Sequence, residues 1–223
     1  MIYEFEAVLL ALDPALHTSG AALLVPDYGP MDRLSSTFSG EYVLHEFGRV
    51  ETQNERERYI NTLLELAEEL KLPPVIVAET WDPPRNKHRR NPANGEVEYV
   101  PDQKWSFKTV LGIGEGWGRW SAEIETANEY RREEGLGPDI VLERVLPNEW
   151  RDVVFGTKRP KDSASLKAVA QRYFEGVFGY QAIADVAEAA CIGLYGLRSK
   201  TVFDAVLAYE LPSAKKRRSK RAS

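Results

Sequence analysis

The sequence predicts an α/β domain built on a mixed five-stranded sheet, three antiparallel strands and then two parallel ones, flanked by helices. Three observations predict it. Apolar runs at 8–13, 20–25 and 42–50 follow one another with turns or loops between them. A helical period then runs up to Pro73-Pro74, and a new apolar run, 75–79, begins just beyond. A helix-length stretch separates that run from another at 139–145, and helical patterns fill the remainder.

Each element has a local cause. Val8-Leu9-Leu10-Ala11-Leu12-Asp13 ends against Pro14, and Gly20 opens the second strand, so the first two strands and the third, Tyr42–Val50, read as an antiparallel meander. Thr52-Gln53-Asn54-Glu55 is a capping box, after which Ile60, Leu63, Leu64, Ala67 and Leu70 recur at helical spacing. Val75-Ile76-Val77-Ala78-Glu79 is the fourth strand, and residues 81–104 read as a polar loop rich in Pro, Asn and Gly. Helical character resumes over about 106–134. The fifth strand follows at 139–145, then helices at about 148–154, 163–176 and 183–197 and a last apolar segment at 201–210. This is the element order of a ribonuclease H-like fold.

Composition bounds the function. A chain of 223 residues that is 43% apolar fits a single full-cored domain, here 1–210, followed by a flexible basic tail, 211–223. No apolar run reaches the roughly 18 residues of a membrane span, so no membrane partner is expected. The acidic start Met1-Ile2-Tyr3-Glu4-Phe5-Glu6 lacks the basic region of a signal peptide, which favours a cytoplasmic location; the basic tail leaves a nuclear address open. The lone Cys191 can form no intramolecular disulfide and reads as a small core residue.

The net charge of −5 is unevenly spread. Lys215, Lys216, Arg217, Arg218, Lys220 and Arg221 are six of the 29 basic residues; without them 23 face 34 acids, a net of −11. A globally basic nucleic-acid binder is excluded, and any such contact must come from local patches. The tail is one, and Arg85-Asn86-Lys87-His88-Arg89-Arg90, continuing toward Lys104-Trp105, is the other. Each equally fits a solvated charge run.

Four acids stand where a metal-dependent nuclease needs them. Asp13 and Glu79 end neighbouring central strands, while Asp185 and Glu188, three apart, share one face of an Ala-rich helix. Singly, each reads as a turn, strand-end or surface acid. Together they suit hard divalent cations, which take oxygen ligands, and the three histidines, His17, His45 and His88, form no zinc spacing. Two such ions supply what phosphodiester hydrolysis needs: an activated water and a neutralised leaving oxygen.

The flanking residues carry a resemblance. Leu10-Ala11-Leu12-Asp13-Pro14 with Thr18-Ser19-Gly20-Ala21-Ala22 resembles the first motif of the RuvC family of Holliday junction resolvases, and Val77-Ala78-Glu79-Thr80 the second. Ala184-Asp185-Val186-Ala187-Glu188-Ala189-Ala190-Cys191-Ile192-Gly193 is similar to the family's last helix, and Val145–Arg151 through Gly156–Ser163 to its strand, short helix, Gly turn and Lys. The likeness spans residues 8–197. This chain departs from the pattern with Ala15 in place of the usual Gly and Glu188 in place of the usual Asp, and its larger loops fit a phage or divergent member.

The resemblance implies a homodimeric, structure-selective endonuclease that resolves four-way DNA junctions by paired symmetric nicks, with two Mg2+ ions per active site and Mn2+ as an alternative. Asp13, Glu79, Asp185 and Glu188 would hold the metals, and Lys161 would neutralise the scissile phosphate. Arg151 and Lys158 would support it. Arg85, Lys87, Arg89, Arg90 and Lys104, with the tail, would contact DNA backbone, and Trp81 or Trp105 would stack on bases.

Rival readings are weighed on the same residues. The glycines at 112, 114, 116 and 118 lack the Gly-Lys-Ser/Thr of a phosphate loop and suit close helix packing, at a dimer interface or elsewhere, with Trp117, Trp120 and Ile124 at helical spacing. A sugar-kinase-like ATPase needs two such domains, more than this length supplies. A ribonuclease H or related-fold recombinase would keep the four acids, as would a catalytically inactive DNA-binding relative.

Overall fold

The computed structural model describes residues 6–15, 17–27, 42–80, 86–90, 97–101, 107–160 and 162–209. Along the chain come strands β1 (Val8–Asp13), β2 (Ser19–Pro26) and β3 (Tyr42–Val50), helix α1 (Gln53–Leu70), strands β4 (Pro74–Glu79), β5 (Asn86–Arg90) and β6 (Val97–Pro101), and helix α2 (Phe107–Glu133). Strand β7 (Val141–Val145) and helices α3 (Pro147–Phe155), α4 (Ser163–Phe178), α5 (Ala184–Gly196) and α6 (Lys200–Ala208) complete it.

The central sheet has the order β3-β2-β1-β4-β7. β1 to β3 pair antiparallel, and β4 joins β1, and β7 joins β4, in parallel. This is the expected ribonuclease H-like arrangement. Alternation along the strands divides the core in two. Leu9, Ala11, Ala22, Leu24, Val75 and Val77 meet α3, α4 and α5 on one face. Leu10, Leu12, Leu23, Ile76 and Ala78 meet Tyr59, Ile60 and Leu63 of α1 and Trp120 and Ile124 of α2 on the other. Because both faces are covered, β1, β2 and β4 are apolar along most of their length rather than alternating. Each fully buried Leu contributes roughly 1.5–3 kcal/mol.

Helix α1 begins as its sequence requires. The Glu55 amide donates to Thr52 Oγ1 at 3.3 Å while Glu55 Oε2 accepts from the Thr52 amide at 2.9 Å. It ends in a left-handed Lys71, φ 58°, ahead of Pro73.

The hairpin of β5 and β6 differs from the sequence expectation, and α6 gives form to a segment left without one. Within 81–104, read as a polar loop, β5 and β6 form an antiparallel hairpin. Asn86-Lys87-His88-Arg89-Arg90 holds no apolar residue, so no period of two announces the strand. The apolar segment after 200 forms α6, capped by Ser199, whose Oγ accepts from the Val202 amide at 3.4 Å. The meander loop from 28 to 41 and the tail lie outside the described residues. No helix among the described residues is long and apolar enough to cross a membrane.

Candidate metal centre

Parallel pairing places the carboxyl ends of β1 and β4 at one edge of the sheet, where ligands of open α/β sheets gather. Asp13 ends β1 and Glu79 ends β4. Helix α5 supplies the other two acids, and its position depends on small residues beneath it. Gly20 sits opposite Asp13 in the β1–β2 ladder, and a Cβ there would collide with the Asp185 backbone carbonyl. One further along, a Cβ on Gly193 would press on the Leu24 and Ala11 side chains. Bare backbone at these points lets α5 lie directly on β1 and β2.

The turn after Asp13 is clamped from the opposite face. The Trp120 indole Nε1 donates to Ser19 Oγ at 3.0 Å, and the Ala15 amide donates to the same oxygen at 3.4 Å. A Cβ on Gly116 would collide with the Ala15 carbonyl, so this glycine lets α2 close over the turn. The packing role expected of the glycine series holds at Gly116, whereas Gly114 and Gly118 face open space.

Carboxylate oxygens of Asp13, Asp185 and Glu188 lie within 4.8 Å of one another. Glu79 stands beside this trio, held by its own partners: the Trp150 indole Nε1 donates to its Oε2 at 2.6 Å, and Arg151 Nη2 is 3.5 Å from the same atom. Arg151 Nη2 also reaches Glu188 Oε1 at 3.4 Å. Lys167 Nζ binds Asp185 Oδ1 at 2.9 Å and lies 4.0 Å from Glu188 Oε2, while Arg49 Nη2 is 3.6 Å from Asp185 Oδ2.

Burial holds Asp13, Glu79 and Glu188 toward their protonated forms. Desolvation, then repulsion from Glu79, Glu188 and Asp185, raises Asp13 well above the usual aspartate range, against a smaller pull from Lys167. Glu188, only 5% exposed on α5, is raised by desolvation, with Arg151 and Lys167 opposing. Glu79 is also raised by burial, although Arg151 and the Trp150 hydrogen bond favour its charged form. The local cations leave Asp13 poorly compensated. An all-oxygen cluster with unmet negative charge fits a hard divalent cation, with Asp13, Asp185 and Glu188 as the residues able to hold it.

The structure therefore brings together all four predicted acids and Arg151. Lys158 is exposed on the turn after α3. That turn is pinned by Arg159, which pairs with Asp152 and donates to Asn148 Oδ1 at 3.0 Å. Lys87, Arg89 and Arg90 belong to β5. Lys161, Arg85, Lys104, Trp81, Trp105, Lys215, Lys216, Arg217 and Arg218 lie outside the described residues.

Three partners of the acids were not singled out by sequence. Lys167 borders the buried stripe Leu166, Ala170 and Phe174 of α4, and a lysine at the margin of an apolar face is the signal that would have found it. Trp150 is wholly buried, which pins its polar atom to some partner, but only the fold makes that partner Glu79. Arg49 reaches the site because β3 pairs it with Gly20, itself opposite Asp13.

No protein-family model and no curated protein sequence matches this chain. Among solved structures it is similar to Thermus thermophilus RuvC, with 14% sequence identity and a TM-score of 0.44 over 92% of this chain and 99% of that one. It is also similar to T. thermophilus RuvC in complex with Holliday junction substrate, at 13% identity and a TM-score of 0.46, covering 89% of this chain and 94% of the other. The yeast mitochondrial Holliday junction resolvase is similar at 12% identity and a TM-score of 0.42, over 92% and 85% of the two chains.

Proposed function

We propose that this protein is a divalent-metal-dependent nuclease of ribonuclease H-like fold that resolves four-way DNA junctions, as a homodimer making paired symmetric nicks. The observation that carries the nuclease reading is the meeting of Asp13, Asp185 and Glu188, with Glu79 alongside, from three separate elements at one edge of the sheet. The junction as substrate, the dimer and Mg2+ as the physiological metal rest on the RuvC-like motifs around those acids. A dimer has a physical logic, because one site cuts one strand and a two-fold symmetric junction presents two.

The residues divide the work. Asp13, Asp185 and Glu188 would hold the divalent metal, with Glu79 alongside. Bound divalent ions would lower the pKa of the attacking water and neutralise charge on the scissile phosphate. Lys167 holds Asp185 in place and offers a positive charge at the rim, while Trp150 orients Glu79 through its indole N–H. Lys161 and Lys158 would contact phosphates, and the β5–β6 hairpin and the basic tail would follow the DNA backbone.

The test is cleavage of three substrates, a synthetic four-way junction, a linear duplex and an RNA–DNA hybrid, each in Mg2+ or Mn2+. Paired nicks in the junction alone are expected. Preferential cutting of the hybrid would overturn the resolvase reading and leave a ribonuclease.

A further inference from the structure

Arg151 occupies an unusual place among the acids. One of its nitrogens, Nη2, serves two carboxylates from different elements, 3.5 Å from Glu79 Oε2 and 3.4 Å from Glu188 Oε1. Its guanidinium also lies against the Trp150 ring, 4.9 Å from the centroid. Its Nε is buried and has no hydrogen-bond partner among the described residues. A single cationic nitrogen between two acids of a candidate metal site stands where a small cation would stand. Both contacts are long compared with a close charge-assisted hydrogen bond of about 2.7–2.9 Å, and a guanidinium with an unsatisfied buried N–H is held less firmly than one in a bidentate pair.

The charges are asymmetric as a result. Glu79 and Glu188 share Arg151, whereas Asp185 has Lys167 at the rim, 4.0 Å from Glu188 as well, with Arg49 farther out. We propose that Arg151 is a resident counter-ion that closes the Glu79–Glu188 half of the centre to a second divalent cation, so that the two ions bind with unequal affinity and the second must displace the guanidinium. The inference rests on the metal-dependent reading above and goes beyond it in ordering the ions. Loss of one cation a few ångströms from two carboxylates strengthens cation binding there by about tenfold or more, even with strong solvent screening.

The experiment is titration of the full chain with Mn2+ alone, without DNA, followed by calorimetry and by the electron paramagnetic resonance of free Mn2+. The wild type should take up one ion tightly and a second at least about tenfold more weakly. In Arg151→Met the second affinity should rise about tenfold toward the first. Arg151→Gln, which keeps a polar group of similar reach, should show the same gain if Arg151→Met does not fold. Glu79→Gln added to either should abolish the gain. Two equally tight ions in the wild type, or a second affinity unchanged in both Arg151 variants, overturns the proposal and leaves the nuclease reading standing. Absence of Mn2+ binding in every variant overturns both.

Discussion

The backbone carbonyl of Asp185 lies so close to the Cα of Gly20 that a Cβ has no room between them. Since Gly20 faces Asp13 across the β1–β2 ladder, this contact sets the distance between the strand acid and the helix acids. Gly20→Ala must push α5 away from the sheet. The obstructing atoms are backbone, so relief requires a shift of the whole helix, and the cost should be at least about 2–3 kcal/mol. Thermal unfolding should show a clear fall in Tm, and Mn2+ binding should weaken with it.

Asp13→Asn should make the metal-free protein more stable. The folded state holds the Asp13 proton more tightly than the unfolded chain does, so stability falls as pH rises from the ordinary aspartate value through the raised one. Above the ordinary aspartate value that cost grows with pH, and removing the charge relieves it. A rise in Tm of roughly 2–5 °C is expected at pH 7, with little difference from wild type near pH 3. Divalent-ion protection and DNA cleavage should be lost while DNA binding persists. An unchanged or lower Tm at pH 7 would contradict the charge balance described here.

Trp150→Phe keeps a ring in the core but removes the indole donor to Glu79. A hydrogen bond to a carboxylate favours its charged form, so its loss should raise Glu79 further. The acidic limb of the pH–activity profile should move to higher pH. Stability should fall by about 1–2 kcal/mol in denaturant unfolding, through the unpaired acceptor and the lost ring volume.

Lys167→Met removes the nearest cation from Asp185, one that also lies 4.0 Å from Glu188. Cleavage should drop at least about tenfold, a positioning and phosphate-charge effect. Mn2+ affinity should stay level or rise, because a competing positive charge is gone. Parallel loss of metal binding and activity would instead mark Lys167 as a structural support for α5.

Removal of residues 211–223 should weaken junction binding and flatten its salt dependence, because fewer counterions are released from the DNA. Equal log–log salt slopes for the full and shortened chains would exclude the tail as a DNA contact.

The order of strands and helices was legible in the sequence because both faces of this sheet are covered, which makes β1, β2 and β4 continuous apolar runs bounded by Pro and Gly. The four acids were legible for a related reason. Strand ends and an i, i+3 pair in a helix of small residues are local patterns, and each acid breaks an apolar stretch. The hairpin β5–β6 was not, since its first strand carries no apolar residue and exists through pairing with the second.

What tertiary structure alone decided is the electrostatic surroundings of those acids. Arg49 enters the site through a row of cross-strand partners, Arg49 to Gly20 to Asp13, and that row depends on a register shift between Leu23 and Leu24. A slip of one residue would turn Arg49 to the opposite face. Trp150 and Arg151 reach Glu79 across 71 and 72 positions, and Lys167 reaches Asp185 from the next helix back. Such partners leave no periodic trace, because their spacing is set by how α3 and α4 pack on α5 rather than by any repeat along the chain. The sequence by itself determined where acids end the strands and line the helix; the packing of helices on the sheet decided which of them meet and how much of their charge is already answered.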